Sequence, residues 1–252
     1  MGLNLLAGLV ILLLAALGLV FYGYRFREHS PEAREIPVFD GLADEVGRAA
    51  EEGTLIHVTL GSGSLTGENA MTSVAALEGL MGIFDLSAAY DTPPIVTVGD
   101  PTLYLLADDW MRRAYARLGN VQRYRPTLVQ FMASSPVSYA ALAATYLFES
   151  GVGSNVMVGA FDQEASLLAD AAARRGTYSA GGATSSQALG ALFPALGSSD
   201  LVIGEDLFAA GAEAIDKPVY WAGLWTQELL RWVIILGIIA LAVLSFLGLE
   251  VG

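Results

Sequence analysis

The chain has 252 residues, 54% of them apolar and 15% charged, with a mean hydropathy of +0.52, no cysteine and a formal charge of −13. That is too apolar for an ordinary soluble protein. The missing cysteines exclude disulfides, iron–sulfur clusters, thiolate zinc sites and cysteine nucleophiles, and two histidines far apart in the chain, His29 and His57, exclude a histidine-rich metal site.

Residues 3–22 are uncharged and almost wholly apolar. A helix rising about 1.5 Å per residue over that length crosses a hydrocarbon core of about 30 Å. Tyr22, Tyr24, Arg25 and Arg27 close the run with an aromatic and basic edge of the interfacial kind. A cleaved signal peptide wants a basic start and a small-residue cleavage site; the run has neither, so residues 1–24 are expected to remain as a membrane helix. Residues 25–37 read as a short charged neck.

Residues 38–220 alternate helix and strand. A first helix is expected over 40–52, with Leu42, Val46, Ala49 and Ala50 at helical spacing and Gly53 as its stop. Short β-branched runs at 55–60, 95–98, 128–132, 156–158 and 201–203 read as strands. Between and after them lie helices at about 69–89, 101–118, 136–150, 163–175, 185–193 and 205–215. Strands without polar alternation are buried on both faces, as in a parallel sheet covered by helices on each side. The expectation is an α/β domain with a Rossmann-like, doubly wound, mostly parallel sheet. His57 falls inside an apolar strand and reads as a hydrogen-bonded core residue.

Residues 221–252 are expected to hold a second membrane helix. Residues 232–249 are uncharged between Arg231 and Glu250, with Trp221, Trp225 and Trp232 on the entering side. Arg25, Arg27, Arg34, Lys217 and Arg231 all flank the spans on the side of the middle domain, and the outer tips carry no lysine or arginine. The positive-inside rule then puts the middle domain in the cytoplasm and both termini outside. Neither span has an internal GxxxG pair, since Gly248 and Gly252 lie at the very end.

Between Arg25 and Arg231 there are 25 acidic and 13 basic residues, which counts against a nucleic-acid partner. Ligands of open parallel sheets lie beyond the carboxyl ends of the strands. The first such loop is the most suggestive: Gly61, Ser62, Gly63, Ser64, Thr66 and Gly67 follow a strand and open a helix, offering backbone amides and hydroxyls to a phosphate or carboxylate. The spacing G-x-G-x-x-x-G is not the dinucleotide fingerprint, and no lysine follows to make a P-loop. A tight strand-to-helix turn explains the same glycines. Asp100 stands where a ribose-binding acid would stand, and Asp100-Pro101 is equally a helix cap. Ser134, with Ser135 ahead of Pro136, and Asp162 ahead of Glu164 read as caps first and ligands second. No nucleophile with a base is legible: Ser62 and Ser64 lack a G-x-S-x-G elbow. Glu68, Asp100 and Asp162 are the carboxylates that an enzyme acting beside a membrane would draw on. No metal is expected, and no cofactor is assigned.

The runs HVTLGSGSLTG (57–67), VTVGDPTLYLLADDWMRRAYARLG (96–119), NVMVGAFDQEASLLADAAARRG (155–176) and LVIGEDLFAAGA (201–212) resemble an uncharacterised bacterial membrane family known only as a domain of unknown function. The resemblance covers about residues 36–249. It implies a membrane-tethered Rossmann-like domain and carries no activity or catalytic residue. The expected function is a non-enzymatic, membrane-anchored module that builds or regulates a larger membrane assembly, with further copies of itself and other membrane subunits as partners. The alternative is a sensor of a nucleotide or small metabolite bound at the 61–67 loop.

Overall fold

Strand pairing follows one rule: among the described residues, each of the sheet's six strands runs parallel to its neighbours, in the order third, second, first, fourth, fifth, sixth along the chain. The computed structural model describes residues 2–28, 31, 36–90, 92–149 and 151–246. His29, Arg34, Gly248, Glu250, Gly252 and the last positions of the expected second span, 247–249, lie outside the described residues. The chain divides into two compact units, one of residues 34–214 and one of residues 1–33 with 215–252.

The larger unit opens with α2 (Pro37–Glu52), which follows α1 (Gly2–Arg25) of the terminal unit and ends at Gly53 in a left-handed conformation, φ 68°. The sheet is built from β1 (Leu55–Gly61), β2 (Ile95–Val98), β3 (Val129–Phe131), β4 (Val152–Ala160), β5 (Tyr178–Ala183) and β6 (Leu201–Ile203). Crossovers run through α3 (Ala70–Gly79) and α4 (Met81–Tyr90), α5 (Pro101–Arg117), α6 (Pro136–Phe148), α7 (Ala165–Arg175) and α8 (Ser186–Leu196), and α9 (Asp206–Ile215) follows the last strand. Register makes the two faces differ. Val129, Val96, Val58, Val156 and Ala180 are partners across five strands and pack with Leu42 and Val46 of α2, Phe84 of α4 and Met111 of α5. The opposite face carries Gln130, Thr97, Thr59 and Met157, under α6, α7 and α8.

That second face holds a buried polar layer at the sheet's centre. His57 Nδ1 lies 3.1 Å from Asn155 Oδ1 and its Nε2 lies 3.1 Å from Thr97 Oγ1, with the imidazole stacked on Tyr146 at 5.6 Å. Burial pushes the imidazole down to about 4, against an upward contribution from the Asn155 hydrogen bond. His57 is therefore neutral at physiological pH and is a hydrogen-bonded core residue, as its place in an apolar strand suggests.

Three elements differ from the sequence reading. The expected helix over 69–89 is two helices broken at Leu80, beside Gly79, where a Cβ would stand 3.1 Å from the Phe39 ring. β4 begins at Val152 rather than near 156, because Val152, Ser154 and Asn155 pair with β1, Gly153 falling at a register shift between them. β5, YSAGGA, reads as no strand at all, yet it pairs with both β4 and β6. Its small residues let neighbours close in: a Cβ on Gly181 would meet Leu196 Cδ1 at 2.6 Å, and one on Gly182 would meet Val202 Cβ at 3.1 Å.

The smaller unit pairs α1 (Gly2–Arg25) with α10 (Pro218–Phe246). α10 begins well before the uncharged run, since residues 218–231 continue the same helix and hold the Arg231–Glu228 ion pair at 2.9 Å. The two helices meet at Gly18, where a Cβ would lie 2.9 Å from Thr226 Cγ2, and at an aromatic cluster in which Tyr22 and Phe26 each lie 5.9 Å from the Trp225 ring. Three described segments are long and apolar enough to cross a membrane: Gly8–Arg25, Ala70–Tyr90 and Pro218–Val243. The first and third are only 6% buried, whereas the second is 56% buried and belongs to the α/β core.

Candidate functional site

Strand order fixes where a ligand crevice would form. The chain winds outward from β1 through β2 to β3 and, in the other direction, from β4 through β5 to β6, so the switch in direction lies between the carboxyl ends of β1 and β4. The loops leaving those two strands carry Gly61, Ser62, Gly63, Ser64, Thr66 and Gly67 on one side and Asp162 and Glu164 on the other.

Gly61 adopts φ 87°, and a Cβ there would lie 2.2 Å from the Ala160 carbonyl oxygen, so only glycine lets the two strand ends come this close. Its amide donates to the Tyr139 hydroxyl at 3.1 Å, and its carbonyl accepts from the Gly99 amide at 3.0 Å. Tyr139, wholly buried on the first turn of α6, donates a hydrogen bond from its hydroxyl to the Thr97 carbonyl at 3.1 Å. Burial holds this phenol far above its ordinary range, so it remains a donor. The Gly63 amide donates to the Ala160 carbonyl at 3.2 Å, and a Cβ on Gly63 would strike Ala160 Cβ at 2.3 Å and Ser73 Oγ at 2.6 Å.

The hydroxyls of the loop are engaged as well. Ser62 Oγ donates to Glu164 Oε1 at 2.5 Å, and Glu164, only 4% exposed, accepts the Asp162 amide on its other oxygen at 3.1 Å. Ser64 Oγ accepts the Thr66 amide at 3.0 Å and shares a hydrogen bond with Thr66 Oγ1 at 2.9 Å. The Leu65 amide reaches Thr102 Oγ1 at 3.3 Å. Gly67, at φ 93°, is exposed and turns the chain toward α3.

Asp100 caps α5: its Oδ1 accepts the Thr102 amide at 2.8 Å, the Leu103 amide at 3.2 Å and the Thr102 hydroxyl. Burial works to raise this carboxyl, but the hydrogen bonds from Thr102, Leu103 and Ser64 outweigh it and leave it below its ordinary value. The structure thus brings Asp100 and Ser64 together. Ser134 is exposed in the segment between β3 and α6 and, among the described residues, shares no hydrogen bond with the loop. Ser135 occupies the cap position of α6 without making a side-chain cap, and Glu164 rather than Asp162 stands at the cap position of α7.

The groups named above bond within the protein, whereas the buried Ser73 hydroxyl beside Gly63 has no hydrogen-bond partner among the described residues. A phosphate at the loop would meet the Glu164 carboxylate bonded to Ser62 and the Asp100 carboxylate bonded to Ser64, with no lysine or arginine on either loop. Acyl transfer from Ser62 would need free amides for the oxyanion, and those of Gly61 and Gly63 are bonded within the protein. Among the described residues no three His, Asp or Glu side chains converge as a metal site. The partners that sequence reasoning missed are Glu164 and Tyr139, 102 and 78 residues from the atoms they bind. Tyr139 had one signal, its helical spacing with the buried Ala140, Ala143 and Leu147.

A family model described as a domain of unknown function, DUF6754, matches residues 3–251. No curated protein and no solved structure matches the chain.

Proposed function

We propose that this chain, which belongs to the DUF6754 family, is a membrane-anchored, non-enzymatic α/β module that builds or regulates a larger membrane assembly, working in repeated copies. The observation that carries the reading is the filled crevice at the switch point. Gly61 and Gly63 serve close strand approach, their amides and those of Leu65 and Thr66 bond within the protein, and the buried Glu164 carboxylate accepts the Ser62 hydroxyl. With two apolar terminal helices available as anchors, what remains for such a domain is contact with other proteins. Arg25, Arg27, Lys217 and Arg231 at the inner ends of those helices favour a cytoplasmic α/β unit with both chain ends outside.

A sensor of a nucleotide or small metabolite is the second reading, favoured by one observation: the 61–67 loop lies at the switch point of a 3-2-1-4-5-6 sheet. Thermal melting of the detergent-solubilised full-length protein separates the two. A ligand at a hundredfold its Kd adds about 2.7 kcal/mol of stability. Millimolar ATP, GTP, NAD and NADP are expected to leave Tm unchanged, while native mass spectrometry of the extracted protein gives a multiple of 26.5 kDa. A rise in Tm that Asp100→Ala abolishes would make the sensor the better reading. A mass of one subunit would remove the assembly.

A further inference from the structure

The two terminal helices run antiparallel, and their contacts fix which residues share a height. A Cβ on Gly18 would meet Thr226 Cγ2 at 2.9 Å, one on Gly23 would meet Ala222 Cβ at 3.9 Å, and the Tyr22 and Trp225 rings lie 5.9 Å apart. Counting onward from the Gly18–Thr226 contact, Glu228 stands level with Ala16 and Arg231 with Leu13. Both heights fall well inside the uncharged run 3–22 of α1. The uncharged run of α10 starts at Trp232, level with Leu12, and the helix continues to Phe246, past the level of Gly2. The two apolar runs are therefore displaced from each other by about ten residues, or about 15 Å.

One bilayer has two ways to meet such a pair. If it follows residues 232–249, the α1 segment 13–22 stands in water, with Leu17 65%, Val20 73% and Phe21 64% exposed. If it follows residues 3–22, the Glu228–Arg231 ion pair, with side chains 45% and 46% exposed, lies inside the membrane. Aromatic and basic side chains decide between them. Phe26 stacks on Tyr22 at 5.7 Å and lies 5.9 Å from Trp225, so one aromatic cluster spans both helices at one height. Trp221 and Arg25 stand about a turn from it, with Arg27 and Lys217 beyond. That is an interfacial girdle. From it, Tyr22 to Leu3 covers about 29 Å and Trp225 to Phe246 about 31 Å, each close to one hydrocarbon thickness. The apolar segment Pro218–Val243 likewise contains the charged pair.

We propose that the bilayer meets the helix pair at this girdle, that Glu228–Arg231 is an ion pair inside the near leaflet, and that the partner of its open side is lipid. Glu228 lies about 4.5 Å and Arg231 about 9 Å beyond Trp225 along the helix. Helical side chains lean toward the amino end of their helix, which here is the girdle, and Arg231 reaches back one turn to Glu228 at 2.9 Å. The charged ends thus rise toward the phosphate layer while their stems lie along acyl chains. The second crossing begins near Trp225, seven residues ahead of the uncharged run. The inference rests on the anchoring part of the reading above and is independent of the assembly.

Single thiols report depth in this chain, which has no cysteine. A thiol in hydrocarbon stays protonated, so in open membrane fragments with both faces accessible, Leu17→Cys and Leu230→Cys in the full-length protein are expected to react with maleimide at no more than about a tenth of the rate of Lys217→Cys. Denaturation in SDS is expected to bring the three together. A second measurement separates a lipid cover from a protein cover. In vesicles of phosphatidylcholine brominated midway along its chains, wild type is expected to lose a larger fraction of its tryptophan emission than Trp232→Phe, because Trp232, 56% exposed, lies about 10 Å beyond the girdle. Leu17→Cys or Leu230→Cys reacting as fast as Lys217→Cys, or equal quenching of the two proteins, would overturn the placement and leave the anchor standing. Release of the protein from its membrane by alkaline carbonate would overturn the anchor as well.

Discussion

His57 shows how one buried side chain ties stability to pH. Its folded value of about 4 lies below the ordinary 6.5, so the unfolded chain takes up the proton first as pH falls. Stability from keeping this imidazole neutral is complete above about pH 6.5 and is lost as pH drops toward 4, by about 3 kcal/mol for the full shift. Wild type and His57→Gln, melted in detergent between pH 7.5 and pH 4, are expected to differ in slope, with the variant flatter. Parallel slopes would mean that the folded protein takes up a proton at this imidazole as readily as the unfolded chain does. Asp100 contributes with the same sign in a lower range, because its carboxyl is held below the ordinary carboxylate value by Thr102, Leu103 and Ser64.

Among the elements, glycine has opposite meanings at different places. In β4 a Cβ on Gly159 would lie 2.0 Å from the Leu60 carbonyl oxygen, a backbone atom with no room to retreat, whereas Gly190, inside α8, has nothing within 4 Å. Gly159→Ala is expected to cost more than about 3 kcal/mol and Gly190→Ala to stabilise by up to about 1 kcal/mol, as read from chemical denaturation midpoints. Equal effects would show that the β1–β4 seam is looser than the geometry requires. The same contrast explains what was legible from the sequence. Five strands announced themselves as β-branched runs, and the caps at Gly53 and Asp100 were readable because they depend on local backbone chemistry. β5 was silent because YSAGGA is a strand only through what its smallness admits from Leu196 and Val202. The 61–67 loop could be singled out from its glycines, but its bonds to Glu164 and Tyr139 could not, because these residues come from other turns of the winding.

For the molecule as a whole, the positions of the charges make an orientation testable. With no native cysteine, a single cysteine at the exposed Thr66 is the only target for a membrane-impermeant maleimide. Intact cells are expected to leave Thr66→Cys unlabelled until they are lysed; labelling before lysis would put the α/β unit outside. α10 bears on the same question through its length. Its 29 residues extend about 43 Å at 1.5 Å per residue, more than the roughly 30 Å of a hydrocarbon core, and the surplus lies in the first half, ahead of the Glu228–Arg231 pair.

The Tyr139 hydroxyl joins three elements through one oxygen: it is carried by α6, accepts a hydrogen bond from the last amide of β1 and donates one to a carbonyl of β2. It works as a mechanical linchpin. A pull that slides α6 along the sheet by little more than an ångström breaks both bonds together and strands a buried amide and a buried carbonyl. Force applied to α6 is therefore felt first at the glycine loop, and whatever stiffens that loop resists the movement of α6 in return.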